Sequence, residues 1–462
     1  MGNSKIKKLL SLEDVLAGKE ARQLRQHNFK VKYETTIVSI TVNMPGPVKD
    51  MPILRRLRDY AVKELKEALY VVAVEEINVA TGPEALVAVD ADGWIVKNIG
   101  IKIEEGYSFS RLLDIDVFSA DGCLLSRREK GEGRGCFVCG GETIVCMREQ
   151  QHSQKDIALA VEEMLNQFKA YETRQVSPYA EKLGALALES MLFEVTCTPA
   201  PGLVDRRNNG AHRDMDFYSF MASSSALAMT MARCAQAGIV TDELASLLPV
   251  LRIIGLAGEQ AMFTAAKGVN TQKGLLFLLG IMVGATGWLL GRGKVISPDN
   301  VLETARAMVT GIVERELMSA ADKPKEALTA GEALYLTYGI EGIRGELAAG
   351  LPAVKEKALP ALQEALKKGM SVNDALVQTL LVLMTCVDDT TVMHRHHPDK
   401  MRVWVREKVQ DVLAVGGMEL AEGKKRCEAL DEEFINHNVS PGGVADLLAV
   451  TWFLQKLIIE EF

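Results

Sequence analysis

Two acidic residues in the segment RLLDIDV, residues 111–117, have a spacing that suits metal-dependent chemistry. If the segment is a strand, Asp114 and Asp116 face the same side, because side chains alternate along a strand. Two carboxylates on one face favour a hard cation such as Mg²⁺, which prefers oxygen ligands and binds together with substrate phosphates. Asp114 and Asp116 are therefore candidate catalytic residues and Mg²⁺ ligands for phosphoryl or nucleotidyl transfer. Two solvated acids on an edge strand are the alternative.

Three cysteines and a histidine follow in the pattern C-x2-C-x6-C-x5-H: Cys136, Cys139, Cys146 and His152. Three thiolates and an imidazole match the ligand set of a tetrahedral structural zinc site. The spacing matches none of the commonest zinc fingers, so buried free thiols beside a surface histidine are the alternative.

No apolar export signal follows the basic start of the sequence, so we expect reduced thiols and a cytoplasmic protein.

The second half of the sequence carries polar segments between apolar runs. The first is TPAPGLVDRRNNGAHRDMD at residues 198–216, and four more lie at residues 265–274, 329–347, 388–395 and 438–448. Arginine and lysine bind phosphates, and carboxylates bind Mg²⁺ or orient a hydroxyl. None of these segments contains a Walker or Rossmann fingerprint. They predict a pocket for a metal and a polyphosphate, with solvated loops as the alternative. The substrate-binding candidates are Arg206, Arg207, Asn208, His212, Asn270, Lys273, Glu332, Arg344, Glu346, Arg395 and Asp446.

The pattern of apolar residues divides the chain into two domains, residues 1–174 and 175–462. The first reads as α+β, with strands near residues 36–44, 85–90, 94–103 and 112–118 and helices near 53–70 and 154–171. The second reads as a larger all-α domain. A net charge of -8 over 462 residues argues against a general affinity for nucleic acid.

One run of 18 residues without charge, at 274–291, reaches the lower length limit of a membrane span. We expect a buried core helix instead, because no second such run is evident and polar segments flank it closely. The sequence thus predicts a protein that does not interact with membranes.

The N-terminal half resembles the citrate lyase holo-acyl-carrier-protein synthase family over about residues 10–170. The resemblance rests on LSLEDVLAGKEARQLRQ, PGPVKD followed by two arginines, TGPE, RLLDIDV, the segment DGCLLSRRE and the Cys/His tail, in that order. That family is similar to nucleotidyltransferases. It transfers phosphoribosyl-dephospho-coenzyme A from a triphosphate precursor to a serine of the apo acyl carrier (gamma) subunit of citrate lyase, and releases diphosphate. The resemblance implies that Asp114 and Asp116 hold the metal. Inferred phosphate contacts are Lys49, Arg111, Arg127 and Arg128.

The five polar segments of the C-terminal half, in their order, resemble the triphosphoribosyl-dephospho-coenzyme A synthase family over about residues 178–460. In that family a ribose hydroxyl of dephospho-coenzyme A attacks C1 of the ATP ribose, and adenine leaves. The resemblance implies a triphosphate clamp formed by Arg206, Arg207 and Lys273. It also implies metal or base roles for Asp205, Asp214, Asp216, Asp388 and Asp389.

Together the two resemblances imply a bifunctional transferase that first makes and then attaches a prosthetic group, with ATP and dephospho-coenzyme A as substrates. The same chemistry for malonate decarboxylase is one alternative. A zinc-bearing helical interaction scaffold is another, which the paired acids and the lack of a repeat disfavour.

Overall fold

The computed structural model describes residues 10–127, 133–318, 320, 328–460 and 462. The chain separates into two units, one ending at Glu172 and the other beginning at Thr173.

A five-stranded antiparallel sheet organises the N-terminal unit. Across the sheet the strands lie in the order Val71–Val79, Gly82–Val89, Thr36–Val42, Leu113–Phe118 and Leu124–Leu125. On one face, Phe29 of the first helix packs against Ile37 and Leu86. On the other face, three helices cover the aliphatic residues of the central strands. The α+β prediction for this half is confirmed. In chain order the elements are α1 Leu12–Tyr33, β1 Thr36–Val42, α2 Pro52–Ala68, β2 Val71–Val79, β3 Gly82–Val89, α3 Gly93–Gly106, β4 Leu113–Phe118, β5 Leu124–Leu125, α4 Thr143–Arg148 and α5 Gln154–Arg174.

The strand predicted at residues 94–103 is wrong, because this segment belongs to helix α3. Asp92 caps the helix, since its side chain accepts hydrogen bonds from the backbone N–H groups of Trp94 and Ile95 at 2.9 and 3.2 Å. Gly100 lets the helix approach Ile115 of β4 closely, with 3.0 Å between an added Cβ and the isoleucine side chain. A local cap and a tertiary contact therefore override the β-branched composition of the segment.

The C-terminal unit is mostly helical, as predicted. Its hydrophobic core runs through the whole unit and is built largely from leucine, valine, alanine and methionine. The helices are α6 Pro178–Thr196, α7 Phe217–Val240, α8 Leu247–Ala265, α9 Lys273–Leu290, α10 Pro298–Met308, α11 Ile312–Glu316, α12 Ala330–Tyr338, α13 Gly342–Ala348, α14 Leu359–Lys367, α15 Val372–Cys386, α16 Thr390–Arg395, α17 Arg406–Ala414, α18 Ala421–Asn436 and α19 Gly442–Ile459.

Helix α9 contains the apolar run that the sequence singled out. Its glycines allow close backbone contact with α7: a Cβ on Gly287 would lie 2.2 Å from the carbonyl oxygen of Ala235, and one on Gly291 would lie 2.4 Å from that of Ile239. The expectation of a single such run is wrong, because three helices are long and apolar enough to cross a membrane. The buried fraction of the most apolar 18-residue stretch is 22% in Leu244–Ala265, 72% in Lys273–Leu290 and 67% in Gly442–Ile459.

Candidate active sites

Strand β4 places Asp114 and Asp116 on the same face of the sheet, opposite the buried residues Leu113, Ile115 and Val117. In the antiparallel register with β1, Asp114 lies beside Thr41 and Asp116 beside Ser39. The two carboxylates line a cavity of about 610 Å³. Burial, followed by the negative charge of Asp114, raises the pKa of Asp116 above its ordinary value. The strand geometry thus produces the close acid pair that the sequence predicted.

Arg134 completes this acidic site, and the sequence analysis missed it. Its Nη1 lies 3.1 Å from Oδ1 of Asp114. Its Nη2 donates to the carbonyl oxygens of Arg111, at 2.8 Å, and Leu113. These carbonyls hold the guanidinium of Arg134 beside Asp114, where it can contact a phosphate. The only signal in the sequence was the position of Arg134 two residues before Cys136.

The four predicted zinc ligands meet in the structure. The ligand atoms of Cys136, Cys139, Cys146 and His152 all lie within 4.8 Å of one another. Sγ of Cys136 is 3.4 Å from Nε2 of His152, and Sγ of Cys139 is 3.4 Å from Sγ of Cys146. Thiolates around one tetrahedral zinc ion are separated by roughly 3.8 Å, given a Zn–S distance of about 2.3 Å. The donor set and its spacing therefore fit zinc.

Other residues of the segment that carries the four ligands form one wall of the acid-pair cavity. Gly133, Arg134, Glu142, Thr143 and Met147 line that cavity from this side. The backbone of Thr143 donates to the carbonyl of Arg134 at 3.1 Å. Folding of this segment around the four ligands is therefore coupled to the position of Arg134.

In the C-terminal unit, a cavity of about 410 Å³ collects residues from all five of the predicted polar segments. The first residues of two long helices, α9 and α19, line it. The N-terminal ends of helices carry partial positive charge and favour anions. The predicted residues in its lining are His212, Asp214, Asn270, Lys273, Arg395 and Asp446.

Glu194, near the end of α6, lies in the same cavity and was missed by the sequence analysis. Its side chain is buried, and burial raises its pKa to about 8. The pKa of Asp446 is raised well above its ordinary value by burial and then by the charges of Glu194 and Asp389. In sequence Glu194 lies within an apolar helical pattern and carries no motif signal. Only the packing of α6 against α19 brings it to Asp446.

A second cavity, of about 470 Å³, adjoins the first, since Asp214 and Met215 line both. Arg213 and Lys267 line this second cavity and add positive charge to it. Asp216, a predicted catalytic residue, lines it as well, and its carboxylate caps α7 by accepting from the N–H of Ser219 at 2.8 Å.

Comparisons with known proteins agree with the division into two sites. The family of apo-citrate lyase phosphoribosyl-dephospho-CoA transferases, CitX, matches residues 10–168. The family of ATP:dephospho-CoA triphosphoribosyl transferases, CitG, matches residues 180–461. Protein CitXG of Leuconostoc mesenteroides subsp. cremoris is 32% identical over 461 residues, covering 97% of this chain and 97% of that protein. The chain belongs to the CitX and CitG families. It is a bifunctional transferase, as the sequence predicted.

Relatives of the CitG part alone are more similar to it. The 2-(5''-triphosphoribosyl)-3'-dephosphocoenzyme-A synthase of Pectobacterium atrosepticum is 42% identical over 286 residues, covering 60% of this chain and 92% of that protein. A probable synthase of the same name from Vibrio cholerae is 44% identical over 278 residues, covering 60% of this chain and 88% of that protein. We refer to the unit ending at Glu172 as the CitX unit and to the unit beginning at Thr173 as the CitG unit.

The predicted cations of the CitX unit occupy different positions. Arg127 lines the acid-pair cavity and forms ion pairs with Glu104 and with Glu105, the latter at 2.7 Å. Lys49 donates to the carbonyl oxygen of Met44, and Arg111 donates to that of Gly135. Among the described residues, Lys49 and Arg111 are outside the lining of this cavity. Arg128 lies outside the described residues.

Asp205 organises the first polar loop of the CitG unit. This buried carboxylate accepts from the backbone N–H groups of Ala200, Arg207 and Asn208 at 3.1, 2.6 and 3.1 Å. Such saturation with backbone donors is typical of a loop anchor.

Arg206, Arg207 and Asn208 extend from this loop to other partners. Arg206 donates to the side chains of Thr198 and Asn373. Arg207 lies 3.5 Å from Glu428, and Asn208 donates to Asp431 at 2.7 Å. Within the described part of the chain, these three side chains lie outside the lining of both CitG cavities.

The two predicted acids at the start of α16 have separate partners. Asp389 is fully buried and caps the helix through the N–H groups of Thr391 and Val392, at 2.8 and 3.1 Å. Its other oxygen accepts from the N–H of Val444 at 2.8 Å, which ties α16 to the start of α19. Asp388 forms ion pairs with two arginines of the following helical segment. Asp389 therefore supports the cavity wall indirectly, because it fixes the start of α19.

The remaining candidates of the CitG unit stabilise its helices. Glu332 forms a capping box with Thr329 at the start of α12. Arg344 lies 2.7 Å from Glu316, and burial raises the pKa of Glu346. As far as the described residues show, none of these three lines either CitG cavity.

Proposed function

We propose that the chain makes and attaches the prosthetic group of citrate lyase in two steps. The CitG unit converts ATP and 3'-dephospho-coenzyme A into 2'-(5''-triphosphoribosyl)-3'-dephospho-coenzyme A and adenine. The CitX unit then transfers phosphoribosyl-dephospho-coenzyme A to a serine of the apo acyl carrier (gamma) subunit, with release of diphosphate. The observation that carries the proposal is the presence of both families in one chain, in the order and over nearly the full length of protein CitXG.

In the CitX unit, we assign Mg²⁺ binding to Asp114 and Asp116. The fit rests on two carboxylates on one face of β4, where burial and then the negative charge of Asp114 raise the pKa of Asp116. Bound Mg²⁺ would neutralise charge on the triphosphate of the precursor. Arg134 and Arg127 lie in the same cavity and supply cations for the diphosphate that departs. This arrangement supports a nucleotidyltransferase-like reaction at the surface of the sheet.

In the CitG unit, the triphosphate of ATP is assigned to the two adjacent cavities. Lys273 and Arg395 reach the deeper cavity, and Arg213 and Lys267 reach the outer one. The starts of α9 and α19 add the partial positive charge of two helix ends. This set of cations replaces the clamp of Arg206 and Arg207 that the sequence suggested.

The Cys/His cluster is assigned a structural zinc ion, because its four ligand atoms lie close enough for tetrahedral coordination. The zinc ion would hold the wall that carries Arg134. We further propose that both steps take place in the cytoplasm, where the thiols stay reduced, and that the protein acts without nucleic acid or membrane partners.

The test of the first step is incubation of purified protein with ATP, Mg²⁺ and 3'-dephospho-coenzyme A, followed by measurement of free adenine. We expect adenine release that depends on dephospho-coenzyme A. Failure to bind ATP would instead support the helical scaffold alternative.

The second step is tested by adding the apo carrier subunit of citrate lyase and measuring its gain in mass. The apo carrier subunit of malonate decarboxylase, offered in parallel, distinguishes the alternative acceptor. We expect modification of the citrate lyase carrier, in keeping with the CitX family. Preferential modification of the other carrier would overturn the assignment of the acceptor.

A further inference from the structure

Glu194 and Asp446 are unusual among the charged side chains of the deeper CitG cavity. Glu194 is 8% exposed, whereas Asp446 is partly accessible from the cavity. Within the described part of the chain, neither carboxyl group has a hydrogen bond or an ion pair. Gly274 makes room for Asp446, since a Cβ at this position would lie 2.3 Å from its Oδ2. Two acids without partners in a binding cavity, one of them buried, are costly and call for a chemical role.

We propose that Glu194, in its protonated form, and Asp446, in its ionised form, act as the acid and the base of adenine displacement in the CitG unit. Glu194 gives its proton to the departing adenine, and Asp446 accepts the proton of the attacking ribose hydroxyl. This proposal rests on the triphosphoribosyl transfer proposed above.

The positions of the two residues on their helices support this division of roles. Glu194 is two residues before the last residue of α6, where the partial negative charge of the helix end disfavours an ionised carboxylate. Asp446 is near the start of α19, where the partial positive charge favours one. The raised pKa values of both groups agree with a pair that holds a proton at neutral pH.

The neighbouring charged groups leave this pair without a counter-ion. From the preceding segments, Lys273 pairs with Glu259 at 2.9 Å, and burial lowers the pKa of His212, which therefore stays neutral. Arg395 donates to the carbonyl of Ala211 and the side chain of Asn438, both at 3.4 Å. Among the described residues, two further carboxylates are near this region: Asp214 in the lining, and Asp389, which accepts from the N–H of Val444 at the start of α19.

The proposed step balances in atoms and charge. The oxygen of the dephospho-coenzyme A hydroxyl bonds to C1 of the ATP ribose, and the bond from C1 to N9 of adenine breaks. The electron pair of that bond goes to adenine, which takes the proton of Glu194 on a ring nitrogen and leaves as a neutral base. Asp446 takes the hydroxyl proton, so the pair again holds one proton, which returns to Glu194 before the next turnover.

The test compares two donor substrates in the Glu194→Gln variant. With ATP, which needs a proton on its leaving base, we expect the rate of base release to fall by about 10²-fold or more. With 7-methyladenosine triphosphate, whose base is already cationic and leaves neutral without a proton, we expect a fall of less than about 5-fold. Glu189→Gln is the matched control: Glu189 is on the same helix but accepts from Nε1 of Trp452 at 3.0 Å, and its variant should keep wild-type rates.

Asp446→Asn provides a second, independent measurement. Because the hydroxyl must lose its proton whichever base leaves, we expect this variant to be slow with both donors. Equal loss with both donors in Glu194→Gln, or wild-type rates in either variant, would overturn the acid–base pair. If wild-type protein releases no adenine in the presence of dephospho-coenzyme A, the proposed function itself fails, which separates the two outcomes.

Discussion

The acid pairs of the two units have the same functional groups but different neighbours. In the CitX unit, the side chain of Asp114 is 49% exposed and lies 3.1 Å from Arg134, whereas burial raises the pKa of Asp116. In the CitG unit, Glu194 is buried, Asp446 is partly accessible, and neither has a cationic partner among the described residues. Solvent and a guanidinium favour ionised carboxylates, whereas burial favours the protonated form. The pair in the CitX unit is therefore suited to hold a cation, and the pair in the CitG unit is suited to hold a proton.

The largest effect is expected for Asp116→Asn. Loss of one of two metal-binding carboxylates should slow modification of the carrier subunit by about 10³-fold, because the metal contributes several kcal/mol to stabilising charge in the transition state. The measurement is the rate of mass gain of the apo carrier with purified triphosphate precursor. The matched variant Asp121→Asn, in an exposed turn of the same unit, should retain the wild-type rate. Retention of carrier modification by Asp116→Asn would remove the metal role from this pair.

Zinc removal should have the next largest effect. Treatment with a chelator, or the change Cys146→Ser, should release one zinc ion per chain and reduce carrier modification by about 10- to 100-fold, since Arg134 loses its support. Zinc content is measured by elemental analysis, and activity on the same samples. The scattered thiol Cys123 is the control, because Cys123→Ser should retain zinc. Protein that contains no zinc when purified without chelator contradicts the assignment.

Replacement of Arg134 tests the cation that distinguishes the two pairs. We expect Arg134→Gln to slow carrier modification by about tenfold, because one charge-assisted contact to phosphate is lost while the carboxylates remain. Arg55→Gln, which removes an arginine paired with Asp50 elsewhere in the unit, should have no such effect. An unchanged rate in Arg134→Gln would mean that this guanidinium only balances the charge of Asp114.

The smallest effect concerns stability and pH in the CitG unit. Burial raises the pKa of Glu194 from 4.5 to about 8. Above pH 4.5 the unfolded chain releases a proton that the folded protein keeps, so this residue lowers the free energy of unfolding as pH rises towards 8. Relative to wild type, Glu194→Gln should therefore gain stability across this interval, on the order of a few kcal/mol.

Denaturant unfolding at pH 5, 6.5 and 8 measures this difference. Three of the four tryptophans, Trp288, Trp404 and Trp452, lie in the CitG unit and report its transition. Glu189→Gln should show the pH dependence of the wild type. A pH-independent difference between Glu194→Gln and wild type would mean that Glu194 is ionised in the folded protein.

The sequence predicted the CitX site better than the CitG site. Asp114, Asp116 and the four zinc ligands follow one another closely, so strand alternation and ligand spacing were enough to group them. The CitG cavity draws its lining from distant segments, and the sequence could not show which polar residues of each segment face inward. Asp205 and Asp389 lie in polar segments of the kind that form active sites. Their carboxylates nevertheless accept hydrogen bonds from backbone N–H groups. Helix α3 was misread as a strand because its segment is rich in β-branched residues.

By itself the sequence determined the order of the two families, the mostly helical character of the second half and the pairing of acids along β4. These properties depend on local periodicity and on motifs that are continuous in the chain. The packing of the chain was needed to place Arg134 beside Asp114 and to bring Glu194 into one cavity with Asp446. Both arrangements join segments that are far apart in sequence or lack a motif. Their chemistry depends on burial and on neighbouring charge, which are properties of the packed chain.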